Sequence, residues 1–303
     1  MRIIFAGTPL VAATALRRLS SEHEIALVIT RPDAPVGRKR ELRPSEVAQV
    51  ATELSVPLLK TNRFGQQELQ MIRNANADRA VVVAFGALIP KAALEIVDWW
   101  NLHFSVLPSW RGATPLQHSL IFESGQGISL FELEPSLDTG PIIEALPMRH
   151  PSHKSAGELM LELAEVGAEM ILRNLSKPQQ PVAQQGEPSF APKLSRNDAR
   201  LDFTESASML ERRINAFNPE PMAWCRAADK DLRVLRARAV GEVDWNALSD
   251  RKLNSGEIEL SNERVLVGCG QGTRLELLEV QSAGGKPMSA RDWLRGYGGL
   301  SLE

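Results

Sequence analysis

The first half of this chain alternates short β-rich apolar runs with segments whose apolar residues recur at spacings of three and four. That alternation constrains the fold more than any other feature, because parallel strands need crossover helices and helices need a sheet face to bury. Strands are expected at residues 2–6, 24–30, 79–85, 99–104 and 128–133, with crossover helices at 8–19, 45–54, 66–75 and 115–123. A longer helix is expected at 155–174, capped by Ser155, and Pro178 bars its continuation.

From Ser176 to Lys193 the character changes, and Pro178, Pro181, Pro188 and Pro192 forbid a regular element, so the stretch reads as an interdomain linker. Beyond it a helix at 206–217 precedes short strand-like runs at 222–227, 232–240, 257–260, 264–268 and 273–280, the spacing of a small barrel or sandwich. A length of 303 residues is enough for two cores, and 43% apolar with 24% charged residues excludes the disordered and membrane-spanning classes. The apolar run after Met1 is too short for a signal peptide, which makes a cytoplasmic location the expectation. Cys225 and Cys269 lie far apart without a CxxC partner and read as buried small hydrophobes.

A net charge of −2 gives no global attraction to nucleic acid, so a polyanionic partner would need a local basic patch. Residues 31–44 supply one, with Arg31, Arg38, Lys39, Arg40 and Arg43 in a stretch punctuated by Pro and Gly; a solvated basic turn explains it equally well.

Residues 99–106 place Trp100, Leu102, Phe104 and Val106 on one parity and Asn101, His103 and Ser105 on the other. On a strand, Asn101 and His103 would project about 7 Å apart from one face, with the other face packed in a core. Leu107-Pro108, Arg111-Gly112 and Leu137-Asp138-Thr139-Gly140 come next along the chain. Singly, His103 fits a structural histidine, Asp138-Thr139-Gly140 a common turn, and Arg111-Gly112 a surface ion pair. Together they are polar departures at the C-terminal ends of predicted strands, where an open α/β sheet builds its site. Ala6-Gly7-Thr8-Pro9 lacks the further glycines of a dinucleotide fingerprint. The small-residue loop after Val83 leaves backbone groups free for a flat polar heterocycle. His150-Pro151-Ser152-His153 has no accompanying carboxylate or thiol cluster, and no metal is expected.

The ordered set Phe5-Ala6-Gly7-Thr8-Pro9, Val83-Ala84-Phe85-Gly86, Asn101-x-His103-x-Ser105-x-Leu107-Pro108, Arg111-Gly112 and Leu137-Asp138-Thr139-Gly140 resembles the folate-dependent formyltransferase superfamily. Phe217-Asn218-Pro219-Glu220-Pro221-Met222 and Ala283-Gly284-Gly285-Lys286-Pro287-Met288 extend the likeness to the branch whose acceptor is methionyl initiator tRNA. Departures from the usual pattern are Phe85 for Tyr, Val106 for Leu, Ser136 for Gly, and Ile128-Ser129 for Val-Thr.

The resemblance implies an α/β fold. A Rossmann-like, doubly wound, mainly parallel sheet would occupy a catalytic domain at residues 1–186, with a linker at 187–204 and an OB-like β-barrel at 205–303. It implies formyl transfer from 10-formyltetrahydrofolate to the α-amine of methionyl initiator tRNA, by a monomer, in support of translation initiation. By resemblance Asn101, His103 and Asp138 are catalytic; Phe85, Gly86, Ala87, Leu88, Ser105, Val106, Leu107 and Pro108 line the folate site; and Arg38, Lys39 and Arg40 reach the tRNA. Asn101 and a protonated His103 would stabilise the oxyanion, with Asp138 favouring the imidazolium and relaying the amine proton. Three other readings remain at this stage: a sugar-nucleotide N-formyltransferase, a non-catalytic RNA-binding protein on the same scaffold, and hydrolysis of the formyl-folate itself.

Overall fold

A computed structural model describes residues 1–37, 40–241, 251–299 and 301–303. In chain order the first part comprises β1 (Arg2–Gly7), α1 (Leu10–Ser20), β2 (Glu24–Thr30), β3 (Ala34–Val36), β4 (Glu41–Arg43), α2 (Glu46–Glu53), β5 (Leu58–Lys60) and α3 (Gln66–Ala75). It continues with β6 (Arg79–Val83), α4 (Lys91–Leu94), β7 (Trp99–His103), β8 (Arg111–Gly112), α5 (Pro115–Phe122), β9 (Gly127–Glu132), β10 (Ile142–Pro147) and α6 (Ala156–Ser176). Seven strands form one sheet in the order β10-β9-β7-β6-β1-β2-β5. The run from β7 to β5 is parallel, as the helical crossovers require, while β9 and β10 run antiparallel at one edge.

Burial explains these elements. Ile25, Ala26, Leu27, Val28, Ile29 and Thr30 of β2 are all buried, so the strand reads as an unbroken apolar run rather than an alternating one. Ser45 caps α2 by accepting from the Ala48 N–H at 3.1 Å, and Val47, Ala48, Val50 and Ala51 form the helix's buried stripe. In β7 both faces are enclosed: Trp99 is as buried as Leu102, and its indole N–H donates to Ala93 O at 3.0 Å. The strand therefore stands inside the protein, with His103 buried and Asn101 half-buried.

The stretch 178–192 carries more partners than its composition suggests. Val182 exchanges two backbone bonds with Ile142, each 2.8 Å. The two-residue β11 (Phe190–Ala191) pairs in parallel with β8. Clustering of the chain divides it into two compact units, the first holding residues 1–115, 124–149 and 160–192 and the second holding 116–123, 150–159 and 193–303.

The second unit is built on α7 (Ala207–Phe217), β12 (Trp224–Ala227), β13 (Lys230–Ala239), β14 (Ile258–Ser261), β15 (Arg264–Gly268), β16 (Arg274–Ser282) and β17 (Met288–Ser289), with a further helix at Ala290–Tyr297. Its strands are antiparallel, ordered β12-β13-β16-β15-β14, with β17 on β16. Bulges at Val234/Arg236 and Arg236/Ala237 bend the long β13, and the sheet curls into a half-barrel. Asn218 is buried and ties the end of α7 to β13, donating to Val234 O and Leu235 O at 3.0 and 2.9 Å. Cys225 and Cys269 are both buried free thiols, and burial pushes each up to about 12.

Because Leu102 fills the space beneath the polar face of β7, Leu102→Ala is expected to cost about 2–5 kcal/mol, read as a lower urea midpoint. Leu88→Ala, at a side chain 72% exposed, is expected to stay within about 0.5 kcal/mol of wild type.

Candidate active site

Asn101 and His103 lie two residues apart on β7, opposite Phe131 and Ser129 of β9. The Asn101 carboxamide is half-buried and has no side-chain hydrogen bond among the described residues, leaving its N–H and C=O available to a ligand. His103 is only 4% exposed and makes a T-shaped contact with the Phe131 ring at 6.2 Å between centroids. Its Nε2 lies 2.9 Å from Trp110 O. A carbonyl oxygen only accepts, so Nε2 carries the proton and the Nδ1 lone pair points elsewhere. It faces Asp138, whose Oδ2 is 3.9 Å from Nδ1.

Asp138 reaches this position from a turn in which it adopts φ +51°, a conformation that Asp tolerates better than most residues. Its Oδ2 accepts from Gly112 N–H at 2.8 Å. Gly112 itself has φ +133°, and a Cβ there would come within 2.5 Å of Ala191 O. Only glycine allows β8 to lie against β11 while presenting its N–H to the carboxyl group.

Burial holds the His103 imidazole below its usual value, with Asp138 and the Trp110 carbonyl pulling the other way. The resemblance implies a protonated His103 during transfer, whereas at rest desolvation outweighs the neighbouring carboxyl group and favours the neutral ring. In that state Nδ1 is a base beside a group able to stabilise it once charged.

The loop after β7 presents its residues unequally. Ser105 is fully buried, with its hydroxyl donated to Ser109 O at 2.6 Å; Leu107 is buried, whereas Val106 and Pro108 keep accessible surface. The Ser129 hydroxyl accepts from Leu107 N–H at 3.0 Å and donates to Ser105 O at 2.8 Å, so one side chain knits the loop. Leu107 also lines a shallow recess with Ile142, Ile143 and Val182. Phe85 is a core residue, edge-on to Phe64, and its carbonyl accepts from Thr8 Oγ1 at 2.8 Å. Gly86 and Leu88 are exposed and Ala87 is half-buried. A planar ligand would find surface at Gly86, Ala87, Leu88, Val106 and Pro108, while Phe85, Ser105 and Leu107 shape the backbone beneath.

The basic segment is a two-stranded hairpin, β3 with β4, separate from the main sheet. Arg40 sits in its turn at φ +50°; Arg38 and Lys39 lie outside the described residues. In the second unit Arg212, Arg213, Arg226 and Arg238 are paired with Glu123, Glu205, Asp231 and Glu276, and Arg233 with Gln281, while Arg236 and Lys286 are exposed. Among the described residues no group of His, Cys, Asp and Glu could hold a metal ion, and no helix is long and apolar enough to cross a membrane.

Two contributors escaped the sequence reading. Ser129 was visible as a hydroxyl in a departing Ile-Ser pair, and Gln184 lay in the proline-rich stretch. Gln184 donates from Nε2 to Asp138 O and Gly140 O and accepts from Arg111.

A family model described as "Formyl transferase" matches residues 1–175, and one described as "Formyl transferase, C-terminal domain" matches residues 193–298. The chain belongs to the formyl transferase family. A methionyl-tRNA formyltransferase from Clavibacter sepedonicus is 40% identical over 304 residues, covering 98% of this chain and 97% of that protein. One from Acidothermus cellulolyticus is 42% identical over 316 residues with the same coverage. The solved methionyl-tRNA formyltransferase from Clostridium thermocellum shares the fold with a TM-score of 0.58 at 18% identity, covering 80% of this chain and 94% of that one.

A buried neutral histidine makes stability depend on pH. Between the lowered folded value and the unfolded value near 6.5, the unfolded chain binds the extra proton, so stability is full above about pH 6.5 and falls as pH drops through that window. Urea midpoints at pH 7.5 and 5.5 should therefore differ more for wild type than for His103→Gln; equal differences would count against the buried neutral ring.

Proposed function

We propose that the chain transfers the formyl group of 10-formyltetrahydrofolate to the α-amine of methionyl initiator tRNA, in support of translation initiation. Residues 1–186 carry the folate site and the chemistry, residues 187–204 join them to the second domain, and residues 205–303 help hold the tRNA. The observation that carries the chemistry is the buried His103, its Nε2–H committed to Trp110 O and its Nδ1 turned to Asp138. Near-full-length relatives at 40% identity support methionyl-tRNA as acceptor over an amino-sugar nucleotide.

When bound, the formyl-folate supplies the formyl carbon and the nitrogen that leaves it. Asn101 donates to the formyl oxygen as negative charge gathers there, a contribution of about 2.7–4 kcal/mol for one preorganised donor. His103 Nδ1 takes the proton from the attacking amine, and Asp138 stabilises the imidazolium that results. His103 later returns that proton to the departing folate nitrogen, which restores the neutral ring. Trp110 O keeps the ring from rotating, and burial keeps the competing solvent away from Nδ1. Gly86, Ala87, Leu88, Val106 and Pro108 bind the folate directly, on backbone shaped by Phe85, Ser105 and Leu107.

Arg40, in the turn of the hairpin, engages tRNA phosphates together with its sequence neighbours Arg38 and Lys39. Their charge supplies local attraction that the net charge of −2 does not.

Transfer to methionyl-tRNA, with uncharged tRNA and an amino-sugar nucleotide as controls, tests the acceptor; formylation of the sugar alone would overturn it. His103→Ala and Asp138→Asn should each lower kcat by about 10²–10⁴-fold in a folded protein. Neutralising Arg38, Lys39 and Arg40 together should raise KM for tRNA, leave KM for folate unchanged, and flatten the salt dependence by about 0.7–0.9 in log–log slope per lost phosphate contact. An unchanged slope would remove the hairpin from the tRNA interface.

A further inference from the structure

Residues 181–188 are exposed with one exception, the half-buried Gln184. Its carboxamide is fully engaged. Nε2 donates to Asp138 O at 2.9 Å and to Gly140 O at 2.8 Å, while Oε1 accepts from Arg111 Nη2 at 2.7 Å and Arg111 Nε at 3.2 Å. Those partners belong to the two backbone segments that hold His103. Arg111 lies between Trp110, whose carbonyl accepts from the His103 Nε2–H, and Gly112, whose N–H donates to the Asp138 carboxyl group. Asp138 and Gly140 bracket the turn that sends that carboxyl group toward Nδ1.

We propose that Gln184 is a positioning residue for formyl transfer, locking the Asp138 turn to the Trp110–Gly112 segment so that both contacts to His103 persist together. This rests on the reading of His103 and Asp138 as catalytic. The turn needs such a tie. Asp138 at φ +51° occupies a region that costs free energy for a residue with a Cβ, and such conformations last only where surrounding contacts over-determine them. Within the turn itself, Thr139 Oγ1 makes only long bonds, 3.3 Å to both Glu134 Oε2 and Ser136 O. The donor–acceptor arithmetic is specific to an amide: two carbonyls require two N–H donors, and the Arg111 guanidinium requires an acceptor on the same side chain. Glutamate satisfies Arg111 and repels both carbonyls. Methionine keeps the length and satisfies none.

The effect passes through Asp138, so it belongs in kcat and in the titration of His103. Displacement of a reacting group by about 1 Å can cost on the order of 100-fold, and Gln184→Met and Gln184→Glu should each lower kcat by about 10–100-fold. KM for folate and tRNA should change by no more than about threefold, because the residue touches neither substrate in this scheme. Asp138 raises the His103 value against burial. Loosening its turn should therefore move the acid limb of the kcat/KM profile to lower pH, which a merely structural defect would not do.

The test measures kcat, KM and the pH profile of both variants beside wild type and Asp138→Asn, at a temperature where circular dichroism shows all four folded. Low kcat with a displaced acid limb in both Gln184 variants supports the proposal. Wild-type kcat and an unmoved limb in either folded variant, with Asp138→Asn inactive, overturns it and leaves the catalytic reading standing. Wild-type turnover in Asp138→Asn overturns the catalytic reading itself.

Discussion

The site depends on one hydrogen bond, from His103 Nε2 to the carbonyl of Trp110. It decides the tautomer, and the tautomer decides everything the ring can do next. With Nε2 protonated, Nδ1 is the free base, and it faces Asp138 at 3.9 Å across a gap too long for a direct hydrogen bond. Burial keeps the ring neutral at rest, while the neighbouring carboxyl group favours the charged form once a proton arrives.

The sheet makes that arrangement possible. Strand β7 is enclosed on both faces, so His103 is desolvated by packing rather than by a closing lid. Three short segments then supply its partners and their supports: Trp110 and Gly112 at β8, Asp138 from the turn between β9 and β10, and Gln184, which ties the first two together, from the stretch after α6. None of these three segments is a long regular element. They hold one another through Phe190–Ala191 against Arg111–Gly112 and through the bonds between Val182 and Ile142.

Sequence reading succeeded where periodicity is strong and local. Strand 24–30, helix 66–75 and strand 264–268 match the structure residue for residue. It missed β5 and β10: the first has three residues after Pro57, and the second begins after Pro141, ends in a proline and lies at the edge of the sheet. The mainly parallel sheet was foreseen, its antiparallel edge was not, because strand direction depends on how the chain returns from α5 rather than on any residue in β9. The hairpin of β3 and β4 hid behind its prolines and charges. Gln184 was illegible for a different reason, since nothing in a Pro- and Gln-rich stretch marks an amide whose four hydrogen-bonding positions are all used. The resting state of His103 was not legible either, because burial on both faces of β7 is a tertiary property.

The account's central claim is the resting state of His103, and nuclear magnetic resonance of protein labelled with ¹⁵N at histidine tests it most directly. The five histidines can be assigned by single substitutions. The account predicts that at pH 7 the His103 ring is neutral, with the proton on Nε2, and that it titrates below the usual histidine value near 6.5. An imidazolium at pH 7, or a neutral ring carrying its proton on Nδ1, would contradict it.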